Sequence, residues 1–239
     1  MPRVVKVEEY AVRRDEIMDA AQRLVQTKGY DAMTIQDILD ALGISKGAFY
    51  HYFGSKGELL EGIIERMLGE VEARVMPVVN DPGLAAVEKF HRLFAVVSAW
   101  KTARRDFALA LLNVWYKDEN AVVRQKVRSV MTHRMASLVT LVIQQGVHEG
   151  VWATAYPERI GQVVLSLLQD MSDALAEVLL TSDPAVRTLP YAQGVVGAYT
   201  DALERVLGSE RGSFEIVDDQ TLELWFEASR EMASHYGAA

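Results

Sequence analysis

The chain has 239 residues, half of them hydrophobic and 24% charged, a balance that excludes a disordered or collagen-like polymer and asks for a buried core in one or two domains. It contains no Cys, which excludes a disulfide framework, a thiolate metal site and a cysteine nucleophile. The net charge of -8 sits badly with nucleic-acid binding until it is located: the first 56 residues carry eight basic and eight acidic side chains, so the whole excess lies in residues 57–239.

The N-terminus lacks the apolar run of a secretory signal, and no stretch of about 18 apolar residues occurs, so a cytoplasmic, non-membrane protein is expected. From Arg13 to Lys28, Ile17, Ala20, Ala21, Leu24 and Val25 fall on one stripe and predict a helix that Gly29 ends. Thr34 can cap a second helix with Asp37 in its first turn and Ile35, Ile38, Leu39 and Leu42 on its inner face, and Gly43 stops it. Ser45 then caps a short aromatic helix, Lys46 to Tyr52, which exits at Gly54. Ser55 caps a longer helix through Leu59, Leu60, Ile63, Ile64 and Met67 that fades near Pro77.

The rest reads as helix after helix, with no strand-length alternation to compete. Amphipathic segments are expected at residues 84–101, 104–116 and 119–148. Another starts at Pro157, where a missing N–H is tolerated, and runs to about Thr181. A helix at 190–207 and a last one from Asp218 or Asp219, carrying Leu222, Trp225 and Phe226, complete the chain. The expected class is all-α: an N-terminal three-helix helix-turn-helix domain, residues 1–56, and a larger helical domain, residues 57–239.

Residues 34–53 supply what a helix-turn-helix needs: two short helices, a glycine turn, and a second helix with an outer face free for the major groove. Ile38, Leu42, Ile44, Phe49 and Phe53 form a plausible inward set, leaving Lys46, Gly47, Tyr50, His51 and Tyr52 outside or at the rim. Lys46 can donate to guanine or to a phosphate, Gly47 and Ala48 let the backbone approach the bases, and Gln36 can pair with adenine. Thr34, Ser45 and Lys56 stand at helix N-termini, where backbone N–H groups favour a phosphate. Singly, each has an ordinary role: aromatics at helical spacing fill cores, Lys46 is a surface charge, and Ser45 is a cap.

The run from Thr34-Ile35-Gln36-Asp37-Ile38 through Gly43-Ile44-Ser45-Lys46-Gly47-Ala48-Phe49-Tyr50-His51-Tyr52-Phe53-Gly54-Ser55-Lys56 resembles the DNA-binding signature of the TetR/AcrR family of regulators, over roughly residues 11–65. The resemblance implies DNA contacts from Gln36, Lys46, Gly47, Ala48, Tyr50, His51 and Tyr52 and a phosphate contact from Lys56. The sequence departs from the commonest pattern at Leu39 and Leu42, where Ala is frequent, and at Gly54, where Pro is frequent.

A recognition helix of about seven residues spans only about 10 Å, so specificity asks for a two-fold dimer on a palindromic operator. The segments near 157–181 and 190–207 are the expected seam: Val163, Val164, Leu167, Leu168, Met171, Leu175 and Val178 on one, Gly194, Val195, Gly197, Ala198, Ala202 and Leu203 on the other. The resemblance also implies a small-molecule effector that releases DNA; Phe94, Trp100, Phe107, Trp115, Met131 and Met135 are the candidate lining, and core packing explains the same pattern. No cofactor or metal is expected. An all-helical enzyme with an incidental helix-turn-helix and a ligand-independent DNA-binding protein are the alternatives. The enzyme would need clustered catalytic groups, yet the five His lack metal-ligand spacing and no glycine-rich phosphate loop occurs.

Overall fold

The computed structural model describes residues 2–117 and 121–236. The fold is all-α. Among the described residues ten helices follow in order: α1 Pro2–Lys28, α2 Ile35–Leu42, α3 Lys46–Tyr52, α4 Lys56–Asn80, α5 Ala86–Thr102, α6 Arg105–Trp115, α7 Ala121–His148, α8 Ile160–Leu180, α9 Leu189–Leu207 and α10 Asp219–Tyr236. The first three residues of the segment expected at 119–148 straddle this boundary: 119 and 120 lie outside the described residues.

Two helices are longer than expected. The first begins at Pro2 rather than Arg13, because nothing between Pro2 and Lys28 breaks a helix and Pro is tolerated in a first turn. The fourth continues past Pro77 to Asn80.

Two compact units make up the chain, Met1–Leu68 with Asp106–Val127, and Gly69–Arg105 with Arg128–Ala239. The division expected after residue 56 falls inside the first unit. Its core explains why: Ile17, Met18, Ala21 and Val25 of α1, Ile38 and Leu39 of α2, and Phe49 and Phe53 meet Leu59, Leu60 and Ile63 of α4 and Phe107 and Leu111 of α6. Burying the early turns of α4 and the start of α6 is what closes the three-helix cluster from water.

The second unit has an aromatic centre. Phe90 stands 4.8 Å from Phe94, 5.2 Å from Trp152 and 4.8 Å from Phe214, ring centre to ring centre. Helix ends here are satisfied from a distance. Glu149 accepts from the Ala86 N–H at 2.9 Å, capping α5 where Ala85 has no side-chain oxygen, and buried Lys89 donates to the Val79 carbonyl at the end of α4 at 2.7 Å. Asp218 caps α10 by accepting from Thr221 N at 2.6 Å.

Helices α7 and α8 run antiparallel, with Arg128 facing Asp173 and Thr132 facing Gln169. Gly161 makes that approach possible: a Cβ there would stand 2.2 Å from Thr140 Oγ1 and 2.6 Å from the Ala136 carbonyl oxygen. The second pair, α8 and α9, packs along much of its length.

Candidate nucleic-acid interface

Local chemistry fixes both helices of the helix-turn-helix. Thr34 and Asp37 form a capping box: Thr34 Oγ1 accepts from Asp37 N at 3.1 Å, and Asp37 Oδ2 accepts from Thr34 N at 2.8 Å. Lys28 of α1 donates to Asp37 Oδ1 at 2.6 Å, tying the box to the preceding helix. With Lys28 first and the two Thr34 donors behind it, the Asp37 carboxyl is held down at about 2. The chain turns at Gly43, in the left-handed region at φ 61°, which a residue with a Cβ resists. Ser45 Oγ then accepts from Ala48 N at 3.2 Å to start α3.

Helix α3 is held by its two phenylalanines and turns its remaining side chains out. Phe49 is fully buried and Phe53 nearly so, whereas Lys46, Gly47, Tyr50 and His51 are exposed and Ala48 and Tyr52 are half-buried. Lys46 Nζ lies 5.9 Å above the Tyr50 ring. Gln36 is exposed on α2, its amide donating to Asp40 Oδ1 at 2.7 Å. Nine of the ten expected residues thus sit on α2, α3 or their caps, and Thr34 and Ser45 both already serve as caps.

Lys56 stands apart. Its ammonium donates to the Tyr30 carbonyl at 2.5 Å and lies 4.1 Å over the Tyr30 ring, and burial pushes its pKa below the ordinary lysine value. It ties the α1–α2 turn to the start of α4. The Gly54 departure has a local use as well: the Gly54 N–H donates to Glu58 Oε2 at 2.8 Å, a bond that Pro cannot make.

Tyr10 is the residue that sequence reasoning missed. Its ring is 4.6 Å from that of Tyr52 and 5.6 Å, edge-on, from that of His51, so α1 braces the outer side chains of α3. Tyr10, Arg14 and Ile17 follow at spacings of four and three, a signal that the α1 stripe extends upstream of Arg13.

Residues 17–63 match the family model described as "Bacterial regulatory proteins, tetR family". This segment matches the TetR family. Among curated relatives, the HTH-type transcriptional repressor KstR2 of Mycolicibacterium smegmatis is 33% identical over 84 residues, 35% of this chain and 40% of that protein. KstR2 of Mycobacterium tuberculosis is 28% identical over 142 residues, 58% of this chain and 68% of its own. The chain thus aligns with well under two thirds of the first of these relatives. A TetR/AcrR-family regulator from Thermobifida fusca, solved by crystallography, superposes with a TM-score of 0.51 at 26% identity, covering 83% of this chain and 99% of that one.

The six expected ligand-lining residues do not share one unit. Phe107 is 3% exposed in the core of the first unit, in the same cluster as Phe49 and Leu59, because α6 closes that core. Trp115 belongs to the same unit. Phe94, Trp100, Met131 and Met135 are half-buried in the second. There Trp100 Nε1 donates to Glu70 Oε2 at 3.1 Å and its ring is covered by Arg104 at 4.8 Å, while Arg134 is paired with Glu72 at 3.0 Å. Among the described residues no group of His, Asp and Glu could hold a metal ion, and no helix is long and apolar enough to cross a membrane.

Proposed function

We propose that this chain is a cytoplasmic transcription repressor that binds a palindromic operator as a homodimer and releases it when a small, largely apolar molecule binds the second unit. The observation that carries the reading is the outward face of α3: Lys46, Gly47, Tyr50 and His51 project from a helix whose other side is locked by Phe49 and Phe53. Gln36, Ala48 and Tyr52 flank that face, and the N-termini of α2 and α3 at Thr34 and Ser45 supply phosphate-directed N–H groups. Lys56 supports the interface by holding the Tyr30 and Asp31 carbonyls, with its third N–H left for a phosphate.

For the dimer, the surface that supports the reading is on α8 and α9. Tyr191, Gly194, Gly197 and Ala198 form an exposed stripe on α9, and Val163 of α8 is exposed beside buried Val164. Val164, Met171, Val178 and Leu203, expected at the seam, are instead buried within their own unit. A two-fold dimer joined here would carry two copies of α3 for an operator whose half-sites lie about 34–36 Å apart or a multiple of it.

A mobility-shift titration with DNA flanking the chain's own gene tests the proposal. Wild type should bind, and Lys46→Ala and Tyr50→Ala should each bind at least about ten-fold more weakly with unchanged melting temperature, as expected for about 1–3 kcal/mol per base contact. Folded dimer that shifts no such fragment at low salt would sink the proposal.

A further inference from the structure

An open cleft of about 350 Å³ lies between α9, the segment 208–218 and α10 of the second unit, at the small end of the about 300–1,000 Å³ range of ligand sites. Val196, Phe214, Ile216 and Leu222 give it a buried apolar floor, and Asp201, Glu204, Glu215 and Asp219 stand around that floor with the guanidinium of Arg211. One wall is pinned on both sides: His91 Nε2 of α5 donates to the Ser213 carbonyl at 3.0 Å, and the Phe214 N–H donates to Glu204 Oε1 at 3.2 Å. The cleft is preformed.

Glu204 is the group that asks for an occupant. It is 4% exposed, and a carboxylate so deep in a protein is almost always paired with a cation. Glu204 has no such partner among the described residues: Oε1 takes the Phe214 N–H, and Oε2 accepts from nothing. Oε2 is not sealed from water, so the little surface that Glu204 keeps opens into the cleft it lines. The nearby polar groups turn elsewhere. Arg205 and Arg211 both face Asp201, at 2.7 Å and 3.6 Å, and Gln193 donates to Asp219 Oδ1 at 2.8 Å. Glu215 is exposed and unpaired among the described residues.

We propose that this cleft binds a primary ammonium with a compact apolar body, the ammonium donating to Glu204 Oε2 while the body lies on Phe214, Ile216 and Leu222. A metal ion does not meet the pattern, because among the described residues no three of His, Asp and Glu could hold one. Dispersed carboxylates over an apolar floor suit a cation that carries its charge at one end, and Glu215 and Asp219 at the rim draw such a cation in. The site is separate from the dimer surface: Val196, Thr200 and Glu204 fall on the side of α9 opposite Tyr191, Gly194 and Ala198.

The test is calorimetric titration of the full-length protein at physiological salt and without DNA, using butylamine, hexylamine and phenethylamine, each beside its matched alcohol. At least one amine should bind the wild type about ten-fold or more tightly than its alcohol, the gain expected for a charge-assisted hydrogen bond. Glu204→Gln keeps an acceptor for the Phe214 N–H and removes the charge; it should weaken that amine about ten-fold or more and leave the alcohol within about two-fold. Thr200→Trp puts a ring into the cleft without changing any charge and should abolish binding of the amine. Thermal melts check that both variants fold, and Thr200→Trp decides alone if Glu204→Gln does not. The inference is overturned if no amine binds, if alcohols bind as well as amines, if folded Glu204→Gln binds the amine like wild type, or if amine binding survives Thr200→Trp, as loose attraction to an acidic surface would. Because no DNA is present, failure here leaves the repressor reading untouched.

Discussion

Replacing Phe107 by Ala separates two roles for an aromatic residue on α6. The ring is 3% exposed in the core cluster that also holds Phe49 and Leu59, so the change removes it from a closed core. Burying a Phe side chain takes about 150 Å² or more out of water, which at about 25 cal/mol per Å² is about 4 kcal/mol, inside the about 3–5 kcal/mol seen for Phe→Ala in cores. That is a large share of a domain stability of about 5–15 kcal/mol. The melting temperature should fall by about 10 °C or more, and operator binding should fade on warming in step with unfolding while it persists in the cold. Urea unfolding followed by circular dichroism gives the free energy directly, and Phe107→Leu should lose only about 1 kcal/mol. A loss below about 1 kcal/mol for Phe107→Ala, with a changed response to small molecules, would refute the assignment of this ring to the core.

Three further changes test particular contacts. Asp37→Asn removes a carboxyl held at about 2 against an ordinary 3.8; a depressed value means stability that is present above the ordinary pKa and lost as pH falls toward the folded one. The gap in melting temperature between wild type and Asp37→Asn should therefore be flat above about pH 5 and close below about pH 4, and a gap that widens in acid would contradict the assignment. Gly54→Pro deletes the donor to Glu58; losing an exposed charge-assisted bond of about 1.5 kcal/mol outweighs the smaller gain from a stiffer unfolded chain, so net destabilisation of about 1 kcal/mol is expected in chemical denaturation. Gly161→Ala drives a Cβ onto Thr140 Oγ1 and the Ala136 carbonyl, and should cost about 2 kcal/mol or more by the same measurement; a neutral result would mean that α7 and α8 can part freely.

The capped core of the helix-turn-helix was legible because its signals are local. Thr34 with Asp37, Gly43, and Ser45 before Lys46 act within four residues of themselves, and the apolar period of α1 and α2 states which side is inward. Tertiary partners were not legible. Lys56 reads as a cation beside a helix N-terminus, and only the Tyr30 carbonyl, 26 residues upstream, turns it inward. Phe107 reads as one of many aromatics on amphipathic helices; periodicity says that it faces inward and is silent on which core it enters. The α8 stripe has the same ambiguity, since buried Val164 and exposed Val163 are adjacent apolar residues with opposite fates.

The inward tie of Lys56 has a consequence for how such a protein would search a chromosome. Lys46 is the only lysine or arginine on α3, and each phosphate neutralised adds about 0.9 to the salt exponent of binding, so a face with few available cations holds random DNA weakly. Weak hold on random DNA means little sliding and little sequestration by decoy sites, so the operator would be reached mostly from solution. Retention there would depend on two correctly spaced copies of α3 rather than on charge.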